Sequence, residues 1–284
     1  MLTARKPGIQ INQAISQIVW SKDVEFAHIF NGVSVVVPYV EHLLNSVMNE
    51  VRTNYAADNP LLKEELDLFI RQETNHSIYH NRFNKLMLDA GYDIKPVMTK
   101  ITAELKALRD KRSLAFISAY CAGFENTATF TAQYVFEACD EFFIGADPTG
   151  ANLWLWHIAE EFEHRMTCHE AFKAVSGNYL MRIWGFAYSF WHINWSFWRA
   201  TAVLLKKERE SMTPAQLKAS RRNHMRLMRR QFVYAIPRML PLLRPGFNPA
   251  KLTVPPKIAA ALEFFKKTDP INEAFTSVYP MAAE

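Results

Sequence analysis

Long stretches without Gly or Pro run between recognisable helix-capping residues in this chain. The 284 residues include only 9 Gly and 14 Pro, too few for the many tight turns of an all-β protein. The pairs Asn59-Pro60 and Asp147-Pro148 have the pattern of a helix start, and Gly91 stands where the first of these helices would end. The sequence therefore predicts an all-α fold.

Four long helices follow from these caps and from the three-to-four spacing of apolar residues. The connection between the second and third helices contains one short helix and is long enough to cross a bundle from end to end. That crossover is the topology of a ferritin-like four-helix bundle. The long helices are predicted at about 35–55, 60–90, 112–143 and 148–176, with the connection at 91–112.

Residues 178–284 differ in composition from the part before them. The stretch 180–205 contains four tryptophans, and 218–230 forms a basic helix. Arg182 and Arg199 interrupt the aromatic stretch, and charges near a bilayer centre are costly, so it is not expected to span a membrane. We expect residues 1–177 to form the bundle and 178–284 to form a helical extension packed on it, in one compact unit.

Charge is segregated along the chain. Residues 171–250 carry fourteen Lys and Arg against two Asp and Glu, a net charge of +12, whereas the whole chain is +5. Residues 180–230 are therefore expected to cover a hydrophobic substrate channel, to rest on an anionic membrane, or simply to pack against the bundle. An acidic carrier protein is an alternative partner, but no nucleic-acid motif accompanies the arginines, and no nucleic acid is expected.

Two of the predicted helices carry carboxylates and imidazoles on a single face. Glu73 and His76 are three residues apart, and such residues stand side by side on a helix. His157, Glu161 and His164 follow at spacings of four and three, which also places them on one stripe. Facing E-x-x-H helices, with one more Glu from each of two other helices, hold two iron or manganese ions in bundle cores.

The two further glutamates are found on the first and third helices. Glu125 is the only acid between Lys111 and Glu137 and lies in an apolar run, where a buried carboxylate requires a partner. On the first helix Glu41 is chosen over Glu50, since Glu41 lies nearer the middle of the apolar stretch. The predicted ligands from this pattern are Glu41, Glu73, His76, Glu125, Glu161 and His164, with His157 on the same stripe as the last two.

Two more residues lie at the edges of these faces. His80 is one turn beyond His76, and Glu160 precedes Glu161. We predict both as catalytic residues; a direct ligand, or a group that hydrogen-bonds to one, is the alternative for each.

The motif order resembles that of known di-iron proteins. Glu, E-x-x-H, Glu and H-x-x-x-E-x-x-H occur in the same order in ferritin-like N-oxygenases of the p-aminobenzoate N-oxygenase type, and His157 matches their third histidine. The segments FIRQETNHSIYHNRFN and WLWHIAEEFEHRMTCHEAF are similar to a bacterial family labelled "predicted metal-dependent hydrolase", over most of the chain. These resemblances imply that the metal ligands are Glu41, Glu73, His76, Glu125, His157, Glu161 and His164.

Three functions are compatible with this pattern. The first is a di-iron oxygenase or oxidase that uses O₂, with manganese as the alternative metal, a small hydrophobic substrate and an external electron donor. The second is a hydrolase that uses a metal-bound water, with Glu160 as base. The third is a non-enzymatic metal-binding or ferroxidase protein.

Location and assembly are predicted only coarsely. The start of the chain has no apolar segment behind its basic residues, so a cytoplasmic location is expected, with attachment to a membrane surface as an alternative. A homodimer is left open.

Overall fold

The fold is known from a computed structural model, which describes residues 2–11 and 17–278. Those parts of the two predicted units that fall on residues 1, 12–16 and 279–284 lie outside the described residues. Over the described ranges the chain forms α-helices and two short 3-10 helices but no β-strand, so the all-α prediction is confirmed. The helices are α1 (Val24–Asn54), α2 (Pro60–Asp89), α3 (Lys95–Lys111), α4 (Leu114–Ala138), α5 (Asp140–Phe143), α6 (Pro148–Glu163), α7 (Thr167–Val175), α8 (Tyr179–Arg209), α9 (Pro214–Met239), α10 (Pro256–Phe264) and α11 (Phe275–Val278).

Most of these helices begin at polar caps that the sequence shows. The side chain of Asn59 accepts a hydrogen bond from the Leu62 amide at the start of α2, and Asp147 does the same for Thr149 at the start of α6. Gly91 follows α2 with φ of 83°, a conformation that glycine adopts without steric cost. Helix α2 therefore has the bounds that the sequence predicts.

Three predicted helices differ from those in the structure. The helix predicted at about 112–143 is α4 followed by the short α5, interrupted at Cys139. Helix α1 begins at Val24, capped by Asp23, about a dozen residues before the predicted start, and Pro38 lies in its interior. The predicted fourth helix is two helices, α6 and α7, separated by a turn at 164–166. At that turn the Arg165 guanidinium donates to the carbonyl of Phe162, which takes up a carbonyl at the end of α6.

Helices α1, α2, α4 and α6 with α7 enclose the core, and α8 lies against both α1 and α4. Close approach of α8 to α4 depends on glycine. A Cβ built on Gly185 would come within 2.6 Å of the Ala119 backbone, and one on Gly123 would meet the Phe186 backbone at 2.6 Å. Helix α8 therefore packs in close backbone contact with α4.

None of the helices in the described part of the chain is both long and apolar enough to cross a membrane.

Candidate metal centre

A cluster of buried carboxylates and imidazoles lies between α1, α2, α4 and α6. Helix α1 contributes one residue, α2 two, α4 one and α6 two, while His164 caps the end of α6. None of the seven is more than 3% exposed. They are Glu41, Glu73, His76, Glu125, His157, Glu161 and His164.

Six of these residues form two overlapping groups with metal-binding geometry. One group is Glu41, His76, His157 and Glu161; the other is Glu73, His76, Glu161 and His164. Within each group the potential ligand atoms lie within 4.8 Å of one another. Since both groups contain His76 and Glu161, the arrangement offers two neighbouring ion positions.

Glu125 lies outside both groups but next to the second. Its Oε2 atom is 2.8 Å from Nδ1 of His164. Glu50, the alternative that the sequence left on the first helix, pairs instead with Arg109 and is half-buried, away from the cluster.

The donor atoms of the cluster fit a bound cation. Within the described residues, these carboxylate oxygens and ring nitrogens make few hydrogen bonds of acceptable geometry, although several of the atoms lie close to one another. Buried carboxylate and imidazole atoms without partners are costly, and a metal ion would satisfy them. The atoms concerned are Glu41 Oε1, both carboxylate oxygens of Glu73 and Glu125, Glu161 Oε2, His76 Nδ1 and both ring nitrogens of His164.

The charge balance leads to the same conclusion. Burial and the neighbouring Glu161 carboxylate raise the pKa of Glu125 to about 8, and burial with the Glu73 carboxylate raises the pKa of Glu41 well above its usual range. Burial would lower the pKa of His164, but Glu125 and Glu161 outweigh it and raise that pKa to about 10. Without metal the cluster therefore holds protons, which two divalent cations would replace as they balance four carboxylates.

His76 is oriented from behind by a buried ion pair. Its Nε2 atom is 2.9 Å from Glu160 Oε2, and Glu160 Oε1 accepts a 2.9 Å hydrogen bond from Arg5. An Nε2–H that donates to Glu160 leaves Nδ1 facing the cluster, 3.5 Å from Glu73 Oε1 and 3.7 Å from Glu41 Oε1. Carboxylates commonly orient metal-binding histidines in this way.

His157 is oriented by a chain of hydrogen bonds whose direction can be deduced. The amide nitrogen of Asn84 donates to the Ser34 carbonyl at 2.7 Å, so the Asn84 oxygen accepts from the Ser34 hydroxyl at 2.9 Å. The hydroxyl oxygen then accepts from Nδ1 of His80 at 2.8 Å. Nε2 of His80 in turn accepts from Nδ1 of His157 at 2.7 Å.

This chain leaves Nε2 of His157 as the nitrogen with a lone pair. That atom is 2.8 Å from Glu161 Oε1 and 3.9 Å from Glu41 Oε1. Burial and the neighbouring histidines lower the pKa of both His80 and His157, which keeps the two rings neutral, as ligation requires.

Pro38 explains why the Ser34 carbonyl is available to Asn84. In a regular helix the amide of residue 38 donates to the carbonyl of residue 34, but proline has no N–H. The interior proline of α1 therefore frees the carbonyl that fixes the Asn84 amide and, through it, the tautomer of His157.

An apolar cavity of about 80 Å³ reaches the cluster from the side of α8. His157 and Glu161 contribute to its wall, together with apolar residues such as Phe30, Phe124 and Phe190. A second cavity, of about 380 Å³, shares Phe30 and Phe190 with the first and extends between α8 and α9. Because they share lining residues, the two cavities are adjacent, and together they mark a largely apolar path from the α8–α9 surface toward the cluster.

The two residues predicted as catalytic lie behind the cluster. Glu160 is engaged by Arg5 and His76, and His80 by Ser34 and His157, and neither lines the apolar cavity. Both contact histidines of the cluster, which matches the alternative of a group that hydrogen-bonds to a ligand, and their catalytic role stays a prediction.

Sequence reasoning missed Arg5, Ser34 and Asn84. Polar residues recur on one face of α2 at 73, 76, 80 and 84, so the pattern did contain Asn84. Arg5 precedes the first helix and belongs to no periodic segment, so only the tertiary fold places it.

The fold and the site define a class of protein: an α-helical bundle with interior groups of carboxylates and imidazoles that could hold metal ions. A family described as "predicted metal-dependent hydrolase" matches residues 3–252. Because the match covers most of the chain, the protein belongs to this family, whose description is that of a metal-dependent enzyme. Neither a curated protein nor a solved structure matches the chain.

Proposed function

We propose that this protein is a ferritin-like di-iron enzyme that uses dioxygen to oxidise a small hydrophobic molecule. The observation that carries the proposal is the pair of four-residue groups that share His76 and Glu161. Carboxylates and imidazoles together suit iron, with manganese as the alternative. When bound, the two metal ions would supply the reduction of dioxygen.

The chain's own residues support this chemistry in two ways. Glu160 with Arg5, and His80 with Ser34 and Asn84, act as positioning residues that hold His76 and His157 toward the cluster. The apolar wall of the cavity excludes water and admits a hydrophobic substrate beside His157 and Glu161.

The reaction also sets a requirement outside the chain. Inserting one oxygen atom of O₂ into a C–H or N–H bond and reducing the other to water takes two electrons and two protons. These come from an external electron donor.

Hydrolysis is the second candidate, because the family description names it. A hydrolase of this kind needs a free base beside a metal-activated water. Glu160, the base predicted for that reaction, has one oxygen bonded to Arg5 and the other to His76, which counts against it. A non-enzymatic storage role would not explain the apolar cavities beside the cluster.

Metal stoichiometry and oxygen uptake test the proposal. After chelation, anaerobic loading with ferrous iron should give two irons per chain, and adding O₂ with a reductant should change the optical spectrum and consume oxygen. A protein that takes up one zinc, ignores O₂ as the ferrous form and turns over an ester without oxygen would instead be a hydrolase.

Single substitutions make this test site-specific. Glu41 belongs to one four-residue group, whereas Glu161 belongs to both. Glu41→Ala should therefore lower the iron content toward one per chain, and Glu161→Ala should abolish stable binding. Glu50→Ala, on the same helix as Glu41 but outside the cluster, is the matched control and should leave two irons.

A further inference from the structure

Helix α8 differs from an ordinary amphipathic helix, because its largest aromatic side chains face solvent. It turns small and polar residues toward the bundle, including Gly185, Ser189 and Ser196, all of which are buried. Its four tryptophans, at spacings of seven, four and three residues, lie on the opposite face. Trp184, Trp191, Trp195 and Trp198 are between 46% and 63% exposed.

Two arginines within α8 bond to other parts of the protein and do not face solvent freely. Arg182 donates to the carbonyls of Leu242 and Arg244, and Arg199 pairs with Glu104. The charges that interrupt the aromatic stretch in the sequence are therefore used inside the protein. The large aromatic side chains that α8 exposes to solvent are its four indoles and Tyr179.

Helix α9 extends this apolar surface. Met225, Met228, Phe232 and Ile236 follow at spacings of three, four and four residues, so they lie on one face. Trp198 and Met225 line one groove together, and Trp191 and Trp195 line another with Met228 and Phe232. We call Trp191, Trp195, Trp198, Met225 and Phe232 the tryptophan face.

Positive charge borders the tryptophan face. Arg221 lines the same groove as Trp198, and Arg222 and Arg229 are exposed on α9. None of these three arginines forms an ion pair with any residue in the described ranges, whereas Arg230 is paired with Glu141. Unpaired arginines beside exposed indoles match an anionic, partly apolar partner.

The tryptophan face also surrounds the outer end of the path to the metal cluster. Trp191, Trp195, Trp198 and Phe232 line the outer cavity, which shares Phe30 and Phe190 with the inner cavity that reaches His157 and Glu161. A molecule that entered at this face would therefore pass mostly apolar walls on its way inward, with Thr131, Asn194 and Gln231 as polar residues common to both cavities.

We propose that the tryptophan face docks on an anionic lipid bilayer and takes its substrate from the apolar layer of that membrane. The substrate class rests on the proposed oxidation of a hydrophobic molecule, whereas the docking itself does not. Indole rings partition to the membrane interface, and arginines are attracted to anionic headgroups. A purely acidic surface would satisfy the arginines but would leave the row of exposed indoles in water.

Vesicle co-sedimentation tests the docking on metal-free and metal-loaded full-length protein alike. The protein should bind vesicles of phosphatidylcholine mixed with phosphatidylglycerol at low salt and bind phosphatidylcholine alone much more weakly. High salt should release it, since exposed charges are screened. Quenching of tryptophan fluorescence by lipids brominated in the acyl chain should accompany binding.

Matched variants locate the surface. Arg221→Glu/Arg229→Glu and Trp191→Ser/Trp195→Ser should each weaken binding at least about tenfold, as expected for losing several interfacial contacts. Lys63→Glu/Arg71→Glu makes the same change of charge on exposed positions of α2 and should bind as the unmodified protein does. Circular dichroism checks that each variant is folded.

Several results would overturn the docking proposal. They are absence of binding to anionic vesicles at low salt, equal loss of binding in the α2 control, and binding to polyglutamate but not to vesicles. Iron stoichiometry and oxygen uptake are measured without lipid, so a failure of docking is distinguishable from a failure of the proposed oxidation.

Discussion

Single residues around the cluster show how the tautomer of a candidate metal-binding histidine can be determined by residues that do not touch it. Nε2 of His157 faces the cluster because a run of hydrogen bonds from Asn84 through Ser34 and His80 has only one possible direction. The direction is imposed by a backbone carbonyl, which can only accept, and that carbonyl is free because Pro38 has no amide hydrogen.

Removing the Asn84 side chain should break this series of hydrogen bonds at its first member. Asn84→Ala leaves the Ser34 carbonyl and hydroxyl without their partner, so His80 and His157 lose their fixed orientation. We expect metal affinity to fall by about 10- to 100-fold, and the free energy of unfolding to drop by about 1–3 kcal/mol. Competition with a chromophoric chelator measures the affinity, and thermal unfolding measures the stability.

Pro38 provides the control for this effect. In the Asn84→Ala background, Pro38→Ala supplies an amide that can donate to the Ser34 carbonyl. It should recover part of the stability but not the metal affinity, because the Ser34 hydroxyl still lacks its acceptor. Equal metal affinity in Asn84→Ala and the unmodified protein would contradict the orienting role.

The sequence predicts the candidate ligand residues better than it predicts the residues that orient them. The seven predicted ligands come together because helical periodicity fixes which side chains share a face. Their metal binding remains a prediction. Arg5 and Ser34 could not be found in this way, since they act through contacts between segments distant in sequence.

A cap followed by Pro indicates a helix start correctly, whereas the start of α1 at the Asp23 cap, which no Pro follows, is missed. Asn59 and Asp147 gave the starts of α2 and α6. The turn between α6 and α7 contains neither Gly nor Pro, and the interaction that accompanies it, from Arg165 to the Phe162 carbonyl, involves no capping motif. Pro38 indicated a helix start, although tertiary contacts hold it in the interior of α1.

The contact between α4 and α8 should depend on Gly185. A methyl group there would meet the Ala119 backbone at 2.6 Å, and backbone cannot move aside as a flexible side chain can. Gly185→Ala should therefore lower the free energy of unfolding by about 1–3 kcal/mol, the usual cost of overpacking. Chemical denaturation measures this change.

Gly246→Ala is the matched control, because nothing lies within 4 Å of a Cβ at that position. It should leave stability nearly unchanged. If both substitutions had the same small effect, α8 would be more loosely attached to α4 than the structure indicates.

At the scale of the whole molecule, the α-helical class and the charge asymmetry could be predicted from the sequence, whereas the orientation of α8 could not. The sequence places α8 in a C-terminal extension. In the structure this helix packs against both α1 and α4, and its tryptophans face outward. Periodicity alone cannot tell which face of such a helix is buried, because small residues and indoles alternate around it. The positions of Gly32, Gly123 and Gly185 decide this by allowing close approach.

The protonated cluster should also govern how stability of the whole protein varies with pH. In the metal-free folded state the pKa of Glu125 is raised to about 8 and that of His164 to about 10, above their values in an unfolded chain. The folded state therefore binds more protons than the unfolded state between about pH 7 and 8, so its stability should fall as pH rises through that window.

Bound metal should reverse this dependence. Ligands must lose their protons to bind a cation, so the stabilisation given by a fixed concentration of Mn²⁺ should grow from about pH 7 to 8. Melting temperatures with and without metal across this window measure both trends. Glu125→Gln should reduce the slope of the metal-free protein, whereas Glu64→Gln, at an exposed position of α2, should keep it. A metal-free protein that became more stable toward pH 8, or an unchanged slope in Glu125→Gln, would show that the buried carboxylates do not hold protons in the folded state.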